Sequence, residues 1–279
     1  MANVTAADVK RLREQTGAGM MDCKKALSES DGDFDRALEW IRVKGLKGVE
    51  KRESRTASNG LIAISVQEGA GLSVGVMVEV NCETDFVAKG ERFGQVAQQV
   101  LDQAVASGAQ DVPSLLAGRV PSGGTVQELI DDANASIGEK VEIRRLARLE
   151  APHVTSYLHR TSPDLPPQVG VLVATDAQAP VARDVAMHVA AMKPRFLDRD
   201  AVPADVVEHE RRIAEETARQ EGKPEQALAR IVEGHVGGFF KENVLLEQAF
   251  AKESKKTVAA VLAEAGVAVT GFARFRVGA

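Results

Sequence analysis

The stretch from residue 76 to residue 89, VMVEVNCETDFVAK, contains the residue types best suited to a specific contact. An alternating run of β-branched residues ends at a polar turn, and a helical pattern then begins with Phe86 in its first turn. Thr84 or Asp85 suits the N-cap of that helix. An aromatic ring at such a corner either packs back on the core or projects as a wedge toward a partner. We therefore take Thr84, Asp85, Phe86 and Val87 as the first candidate site.

A second candidate lies near the N-terminus, where Met20 and Met21 begin a helical pattern. Neighbouring residues on a helix point about 100° apart, so at least one of the two methionines should be accessible. An exposed methionine is a soft, adaptable contact, although most methionines belong to cores. The adjacent Cys23 is most simply a small buried residue, and Lys24 a solvated charge.

The other chemically capable residues form no catalytic constellation. His188 lies in an otherwise apolar helical segment and is either a hydrogen-bonded, half-buried residue or the edge of a partner site. None of the five histidines has a metal-ligand spacing, and the two cysteines, Cys23 and Cys82, form no CxxC pair. The sequence contains no phosphate-binding glycine motif and no GxSxG motif. We therefore expect neither an enzyme nor a cofactor or metal site.

The composition is that of a folded protein of about two domains. The chain has 279 residues, 44% of them hydrophobic and 27% charged, with a net charge of −5. A net negative charge disfavours nucleic acid as the main partner, because phosphate binding needs a basic face. No leader-like apolar segment and no run of about 18 apolar residues occurs, so we expect a cytosolic, reduced protein without membrane contact.

Periodicity predicts the elements that position these residues. Residues 1–45 read as three short helices, beginning with a capping box at Thr5 and Asp8 and with the first helix stopping at Thr16-Gly17. Residues 44–56 are basic and glycine-containing, which favours a solvated linker over a weak RNA or ribosome contact. A period-two pattern then predicts a hairpin through residues 68–71. A helix over residues 84–105 should follow.

The second half of the chain repeats part of the first. Short helices are predicted over residues 107–140 and a strand over residues 141–149. An internal repeat, called the echo below, then follows: VGVMV at residues 74–78 resembles VGVLV at residues 169–173. The following Val-Ala pair comes 22 residues after the start of the first copy and 16 after the start of the second. This indicates two similar strand–helix subdomains. The six additional residues fall in the segment that contains Phe86, which favours an exposed ring.

Residues 203–241 predict a helical arm. Pro203 opens one helix, Gly222-Lys223-Pro224 forms a turn, and a second helix runs toward Gly237-Gly238, followed by Phe239 and Phe240 at the base. The apolar stripe is thin, which is typical of an antiparallel coiled coil that projects from a body. A last helix over residues 257–264 and an alternating strand over residues 267–277 complete the fold.

Two long segments resemble a known family. LREQTGAGMMDCKKAL at residues 12–27 and EVNCETDFVAK at residues 79–89 are similar to the two signatures of bacterial elongation factor Ts. AMHVAAMKP at residues 186–194 and VTGFARF at residues 269–275 also resemble that family, in the same order along nearly the whole chain.

The resemblance implies an α+β fold. It comprises an N-terminal three-helix bundle similar to ubiquitin-associated (UBA) domains within residues 1–55, and a core N-subdomain at residues 56–142. A core C-subdomain at residues 143–279 is interrupted by a protruding antiparallel coiled coil at about 203–241. The implied function is guanine nucleotide exchange on elongation factor Tu, in its GDP-bound and nucleotide-free states, with no bond-making chemistry and no cofactor. The sequence leaves homodimerisation open.

The resemblance also implies roles for single residues. Asp85 and Phe86, with their neighbours Thr84 and Val87, would enter the GTPase domain of the partner and disturb the groups that hold Mg²⁺ and the β-phosphate. A second group would grip the same domain near its phosphate loop: Arg13, Met20, Met21 and Lys24. His188 would lie against the partner region that disturbs the phosphate loop from the far side.

Three points keep other interpretations open. Relatives often have Phe-Val-Met where this chain has Phe250-Ala251-Lys252, so a contact of that stretch with the third domain of the partner is an open question. A non-catalytic adaptor, with a helical bundle and a coiled coil that hold two proteins together, would not need a protruding Phe86. A weaker alternative is a metal-linked dimer through Cys23, Cys82 or a histidine.

Overall fold

The fold mixes helices with small antiparallel sheets, as the α+β expectation requires. We describe residues 4–16, 18–52, 54–121 and 123–279 in a computed structural model. The helices are α1 (Ala6–Thr16), α2 (Met20–Glu29), α3 (Phe34–Arg52), α4 (Asp85–Ala88), α5 (Glu91–Ser107), α6 (Val112–Ala117), α7 (Val126–Ile137), α8 (Val181–Met192), α9 (Ala204–Gln220), α10 (Glu225–Asn243) and α11 (Val258–Glu264). The strands are β1 (Asn59–Glu68), β2 (Ser73–Cys82), β3 (Glu142–Ala151), β4 (His153–His159), β5 (Val169–Thr175), β6 (Ala249–Phe250), β7 (Glu253–Thr257) and β8 (Val269–Arg276).

Helices α1, α2 and α3 enclose a small apolar core. It includes Leu12, Cys23 and Leu27, all buried. The capping box is present: the Thr5 backbone N–H donates to the Asp8 carboxylate, and the Asp8 N–H donates to the Thr5 hydroxyl. Gly17, part of the predicted stop of α1, lies outside the described residues.

The expectation of a linker over residues 44–56 is corrected in its first part. Helix α3 continues to Arg52, because the segment has no proline and its glycines, although poor helix formers, do not stop a helix. Gly45 lies where α3 crosses α7: a Cβ atom there would lie 2.4 Å from the Cβ of Ala135. Arg42 also pairs with Asp132 of α7, so the N-terminal helices are packed against the rest of the molecule.

Each echo segment forms the middle strand of a three-stranded antiparallel sheet. The first sheet has the order β1-β2-β3 and the second the order β4-β5-β8. Helix α5 packs on the first sheet and α8 on the second. The sequence had not predicted strand β4, which follows β3 after the single residue Pro152.

The glycine of each echo lies where the two sheets meet. A Cβ atom on Gly75 would lie 2.6 Å from Cγ1 of Val154, and one on Gly170 would lie 2.3 Å from Cγ2 of Ile62. Both distances are shorter than any ordinary carbon contact, so a side chain at either position would push the sheets apart. Met77 and Leu172 fill the apolar layer between the sheets.

An ion pair within the first sheet also holds the end of the chain. Glu79 in the middle of β2 is fully buried, and its carboxylate accepts a 2.6 Å hydrogen bond from Nε of Arg145 on β3. The same carboxylate accepts from the backbone N–H of Gly278 at 3.2 Å, and Arg145 donates to the carbonyl of Arg276 at 2.7 Å. The end of the chain is thereby fastened to the strand that leads to Phe86.

Helices α9 and α10 lie side by side in opposite directions. Arg211 pairs with Glu233, and His235 with Glu210, so residue numbers rise along one helix as they fall along the other. The turn between them includes Gly222 with φ of 71°. The sequence predicted that the second helix runs toward Gly237-Gly238, whereas α10 continues through both glycines to Asn243.

The base of the helix pair is apolar, as predicted from the sequence. Phe239 and Phe240 are buried there with Val202, Val236 and Val244. Among the described residues, no helix combines the length and apolar character needed to cross a membrane.

Candidate functional site

The corner between β2 and α5 is where the structure places the first candidate site. Thr84 is the N-cap of α4, since its hydroxyl accepts a hydrogen bond from the backbone N–H of Val87 at 3.3 Å. The same hydroxyl donates to Oε1 of Glu139 at 2.6 Å, and the Thr84 N–H donates to Oε2 at 3.0 Å. The Glu139 carboxylate, in the loop before β3, therefore holds both the backbone N–H and the side-chain hydroxyl of Thr84.

The predicted single helix over residues 84–105 is two helices. Gly90 has φ of −71° and ψ of 137°, an extended conformation that ends the first short helix and caps the second. This break leaves α4 as one turn that protrudes from the strand-to-helix corner. The expectation that the six additional residues of the first echo form a surface feature agrees with the position of α4.

Phe86 projects from this turn into solvent. Its side chain is 82% exposed, the most exposed large hydrophobic residue among the described ones. Lys89 lies 6.0 Å from the ring centre and donates to the Asp85 carboxylate at 2.7 Å. This hydrogen bond holds the pKa of Asp85 below its usual value, so the carboxylate is ionised at neutral pH.

The surroundings of Phe86 are rigid although the ring is free. Ala88 is buried and Val87 packs partly on the first core. The Cys82 thiol donates to the carbonyl of Thr84 at 3.2 Å, and burial raises the pKa of this thiol to about 12. Glu83 accepts hydrogen bonds from the Arg55 guanidinium and from the backbone N–H of Lys140. An exposed phenyl ring on a fixed base is an apolar surface that water solvates poorly, which is typical of an anchor for a partner.

The second candidate site is a groove between α1 and α2. Its volume is about 830 Å³, and Arg13, Met20 and Lys24 all line it. Met20 is 54% exposed and Met21 75% exposed, so both methionines are accessible. Charged and soft apolar groups therefore share one face of the N-terminal helices, while Cys23 points to the core.

A hydrogen bond connects the two candidate sites. Nη1 of Arg92, at the start of α5, donates to the carbonyl of Thr16 at the end of α1, at 3.1 Å. Arg92 follows Phe86 by six positions. This contact could not be predicted from the sequence, because nothing near Arg92 in the chain indicates which distant residue its side chain would bind.

His188 differs from the expectation of a side chain that lies against a partner. Its ring is 1% exposed, and Nε2 lies 2.8 Å from Oε1 of Gln248. The backbone N–H of Ala251 donates to Nδ1 at 3.1 Å, so Nδ1 carries no proton and Nε2 donates to Gln248. Burial lowers the pKa of His188. The ring thus fastens the β6–β7 hairpin to α8.

Helix α8 nevertheless presents apolar surface. Met187 and Met192 are exposed on either side of the buried His188. Alternation of apolar and small residues along this helix could have indicated both methionines from the sequence.

The described residues contain no cluster of histidine, cysteine or carboxylate side chains suited to a metal ion. Both cysteine thiols are buried. Neither thiol is therefore placed where it could link two copies of the chain without local unfolding.

Comparison with known proteins matches the sequence to one family. The family model described as "Elongation factor TS" matches residues 83–279. The chain is 62% identical over 280 residues to Elongation factor Ts of Kineococcus radiotolerans and 62% identical over 282 residues to that of Beutenbergia cavernae, in each case covering 100% of both chains. It is 58% identical over 279 residues to Elongation factor Ts of Acidothermus cellulolyticus, covering 100% of this chain and 99% of the relative. The chain belongs to the elongation factor Ts family.

Proposed function

We propose that this protein is a guanine nucleotide exchange factor for elongation factor Tu in translation elongation, and that Phe86 is its wedge. The observation that carries the proposal is the 82% exposed ring on a capped, hydrogen-bonded turn. Membership of the elongation factor Ts family supports the identity of the partner. Such a protein acts in the cytoplasm, where translation takes place.

The wedge would work by transferring apolar surface from water into the partner. Full burial of a phenyl ring yields roughly 1.5–3 kcal/mol. Part of this free energy can offset the displacement of partner groups that hold Mg²⁺ and the β-phosphate. The exposed, ionised Asp85 next to the ring would repel phosphate and would compete with the partner groups that hold Mg²⁺, because a carboxylate is itself a Mg²⁺ ligand.

The exchange itself is a consequence of linkage. A protein that binds the nucleotide-free partner more tightly than the GDP-bound partner lowers the affinity for GDP by the same factor. No covalent bond forms or breaks, so the protein is no enzyme of bond chemistry and needs no cofactor. GDP dissociates, and GTP can then bind.

The remaining candidate residues would support this action. The groove between α1 and α2 would hold the same GTPase domain through Arg13, Met20 and Lys24, with Met21 beside it. His188 would contribute indirectly, by fixing the β6–β7 hairpin against α8.

We also propose the finer architecture implied by the resemblance. Residues 1–55 would form a UBA-like bundle with the following segment, residues 56–142 the core N-subdomain, and residues 143–279 the core C-subdomain. The α9–α10 pair would be an antiparallel coiled coil within residues 203–241. The opposite run of the two helices and the thin apolar seam, with Ala214, Ala218 and Leu228 buried, support this.

The decisive experiment measures release of a fluorescent GDP analogue from the matching elongation factor Tu. We expect the unaltered chain to accelerate release, and Phe86→Ala to reduce the acceleration at least about tenfold, equivalent to about 1.4 kcal/mol. Because the ring makes few contacts within its own chain, the melting temperature should change by less than about 4 °C.

Leu72→Ala is the matched control. Leu72 is also exposed, but it lies at the opposite end of β2, about 30 Å along the strand from Phe86. Its replacement should leave exchange unchanged. If Phe86→Ala and the unaltered protein release GDP equally fast, Phe86 does not act as a wedge. If the unaltered protein does not accelerate release at all, the adaptor alternative is favoured.

A further inference from the structure

A basic cleft lies in the second half of the molecule, apart from both candidate sites. One wall is the segment after α8, which contains Lys193, Arg195 and Phe196, and the other is strand β8 with Phe272 and Arg274. The cleft volume is about 710 Å³. This lies in the range of about 300–1,000 Å³ that is typical of small-ligand sites.

The cleft carries positive charge without an internal counter-charge. No aspartate or glutamate is among the described residues that line it. Within the described part of the chain, Lys193, Arg195 and Arg274 form no ion pair with a carboxylate.

Arg274 is the cation most affected by this arrangement. It is partly buried, and Nε and Nη2 both donate to the carbonyl of Ala190, at 3.3 and 3.2 Å. Burial, followed by repulsion from Arg276 and Arg145, lowers the pKa of the guanidinium. An anion in the cleft would relieve this repulsion and would accept hydrogen bonds from the remaining N–H groups of Arg274.

The walls of the cleft are fixed in advance. The backbone N–H groups of Arg195 and Phe196 both donate to the carbonyl of Asn243, at 2.8 and 3.1 Å. The carbonyl of Phe196 accepts from the N–H of Leu245 at 2.8 Å. A ligand would therefore meet a preorganised surface, which lowers the conformational entropy lost on binding.

We propose that this cleft binds a nucleoside diphosphate or triphosphate. The phosphates would lie among Lys193, Arg195 and Arg274, because arginine and lysine are the side chains that recognise phosphate oxygens. The base would lie on the partly exposed ring of Phe272, since every base offers a face for stacking on an aromatic ring. The ring of Phe196 is already covered by the guanidinium of Arg195, which lies 5.2 Å from its centre. The volume admits a nucleotide, and three cations are too few to hold an extended nucleic acid backbone. This proposal is independent of the exchange function.

The test is isothermal titration of the full-length protein alone with inorganic pyrophosphate, GDP and ATP. We expect nucleotide binding in the range of about 10 µM to 1 mM, weakened by added salt. Pyrophosphate should bind more weakly than either nucleotide, because it cannot stack. Arg195→Gln and Lys193→Gln should each weaken binding about five- to tenfold, and both side chains are exposed, so neither change should unfold the protein.

Arg160→Gln is the charge-matched control, because Arg160 is an exposed cation in the loop after β4 and does not line the cleft. It should leave the affinity unchanged. Absence of heat with every phosphate ligand would overturn the proposal, as would binding that Arg195→Gln and Lys193→Gln leave intact. Binding of pyrophosphate as tightly as of the nucleotides would contradict the stacking of the base. Binding of poly-glutamate without binding of phosphates would assign the cleft to an acidic protein segment instead.

Discussion

Phe86 and His188 have opposite surroundings, although the sequence offered both as contacts for a partner. Phe86 is a large apolar side chain left in water on a rigid turn, while His188 is a polar side chain enclosed in an apolar core. Exposure of the first costs solvation free energy and burial of the second costs desolvation, so each needs a physical compensation. For His188 the compensation lies within the chain, in the hydrogen bonds to Gln248 and Ala251.

The burial of His188 predicts a pH-dependent stability. Its pKa is lowered in the folded protein from the usual value of 6.5, because burial outweighs the opposing effect of the hydrogen bond that the ring donates to Gln248. As the pH falls below about 6.5, the unfolded chain therefore takes up the proton before the folded chain does, and the free energy of unfolding decreases. Protonation would also place an N–H at Nδ1, where Ala251 already donates. Urea unfolding at several pH values between about 7.5 and 5 measures this decrease.

Replacement of single histidines separates this contribution from that of other groups. His188→Gln should be less stable at neutral pH and should lose much of the decrease between pH 6.5 and 5. The matched control is His159→Gln, since His159 is exposed at the end of β4 and should leave the decrease as it is. A decrease of the same size in His188→Gln and the unaltered protein would mean that another group causes it.

At the scale of elements, periodicity predicted most helices and strands but not their ends. The three N-terminal helices, the hairpin of β1 and β2 and the α9–α10 pair follow from apolar spacing and from glycine and proline at the turns. The break at Gly90 could not be predicted, because glycine is tolerated within helices, as α10 demonstrates at Gly237 and Gly238. Strand β4 was missed because its polar residues, including Thr155 and Ser156, hide the alternation.

The candidate site was predictable to the same degree. The composition of the corner indicated an aromatic residue at a helix start, and the resemblance indicated its use. The anchor provided by Glu139 could not be predicted, since it lies 55 residues from Thr84 and only the folded chain brings the two together. The same reason applies to Gln248, which lies 60 residues from His188.

The α9–α10 pair should be removable without unfolding the core. Its outer part is held by contacts between the two helices, such as the Arg219–Glu225 pair, whereas its base packs through Phe239 and Phe240. We expect a variant with residues 212–232 replaced by about four glycines to fold cooperatively, because packed helices lie only about 8–10 Å apart. Differential scanning calorimetry would test this, with the melting temperature expected within about 5 °C of the unaltered protein.

A variant with the base disrupted is the informative comparison. Phe240→Ala removes a buried ring next to Phe239 and Val244 and should cost roughly 3–5 kcal/mol. If the shortened variant instead melts without cooperativity or loses as much stability as Phe240→Ala, the outer helices belong to the core.

At the scale of the whole molecule, close contacts between backbone segments fix the parts relative to one another. Gly75 and Gly170 allow the two sheets to meet, and the Glu79–Arg145 pair fastens the end of the chain to β2. Gly45 allows the N-terminal helices to pack closely on the rest of the molecule, where α3 crosses α7. Both candidate sites belong to the proposed contact with one GTPase domain, so their separation must match that domain. A rigid junction at Gly45 would preserve this match.

Gly45→Ala and Gly94→Ala test the junction as a pair. Each replaces a glycine within a helix, which by itself stabilises a helix by roughly 0.5–1 kcal/mol. No atom lies within 4 Å of a Cβ built on Gly94, whereas a Cβ on Gly45 would lie 2.4 Å from that of Ala135. We therefore expect Gly94→Ala to raise the unfolding free energy slightly, and Gly45→Ala to lower it by roughly 1–3 kcal/mol through overpacking.

Hydrogen exchange locates the effect of Gly45→Ala, and GDP release measures its consequence. Amide protection should fall in α3 and α7 but not in β2 or β5, and nucleotide release from the partner should slow, because the groove and Phe86 would no longer keep a fixed separation. The double variant Gly45→Ala, Ala135→Gly removes the opposing methyl group and should recover part of both losses. If Gly45→Ala lowers stability while release remains as fast as with the unaltered protein, the N-terminal helices need no fixed position, and Phe86 with its corner is sufficient for exchange.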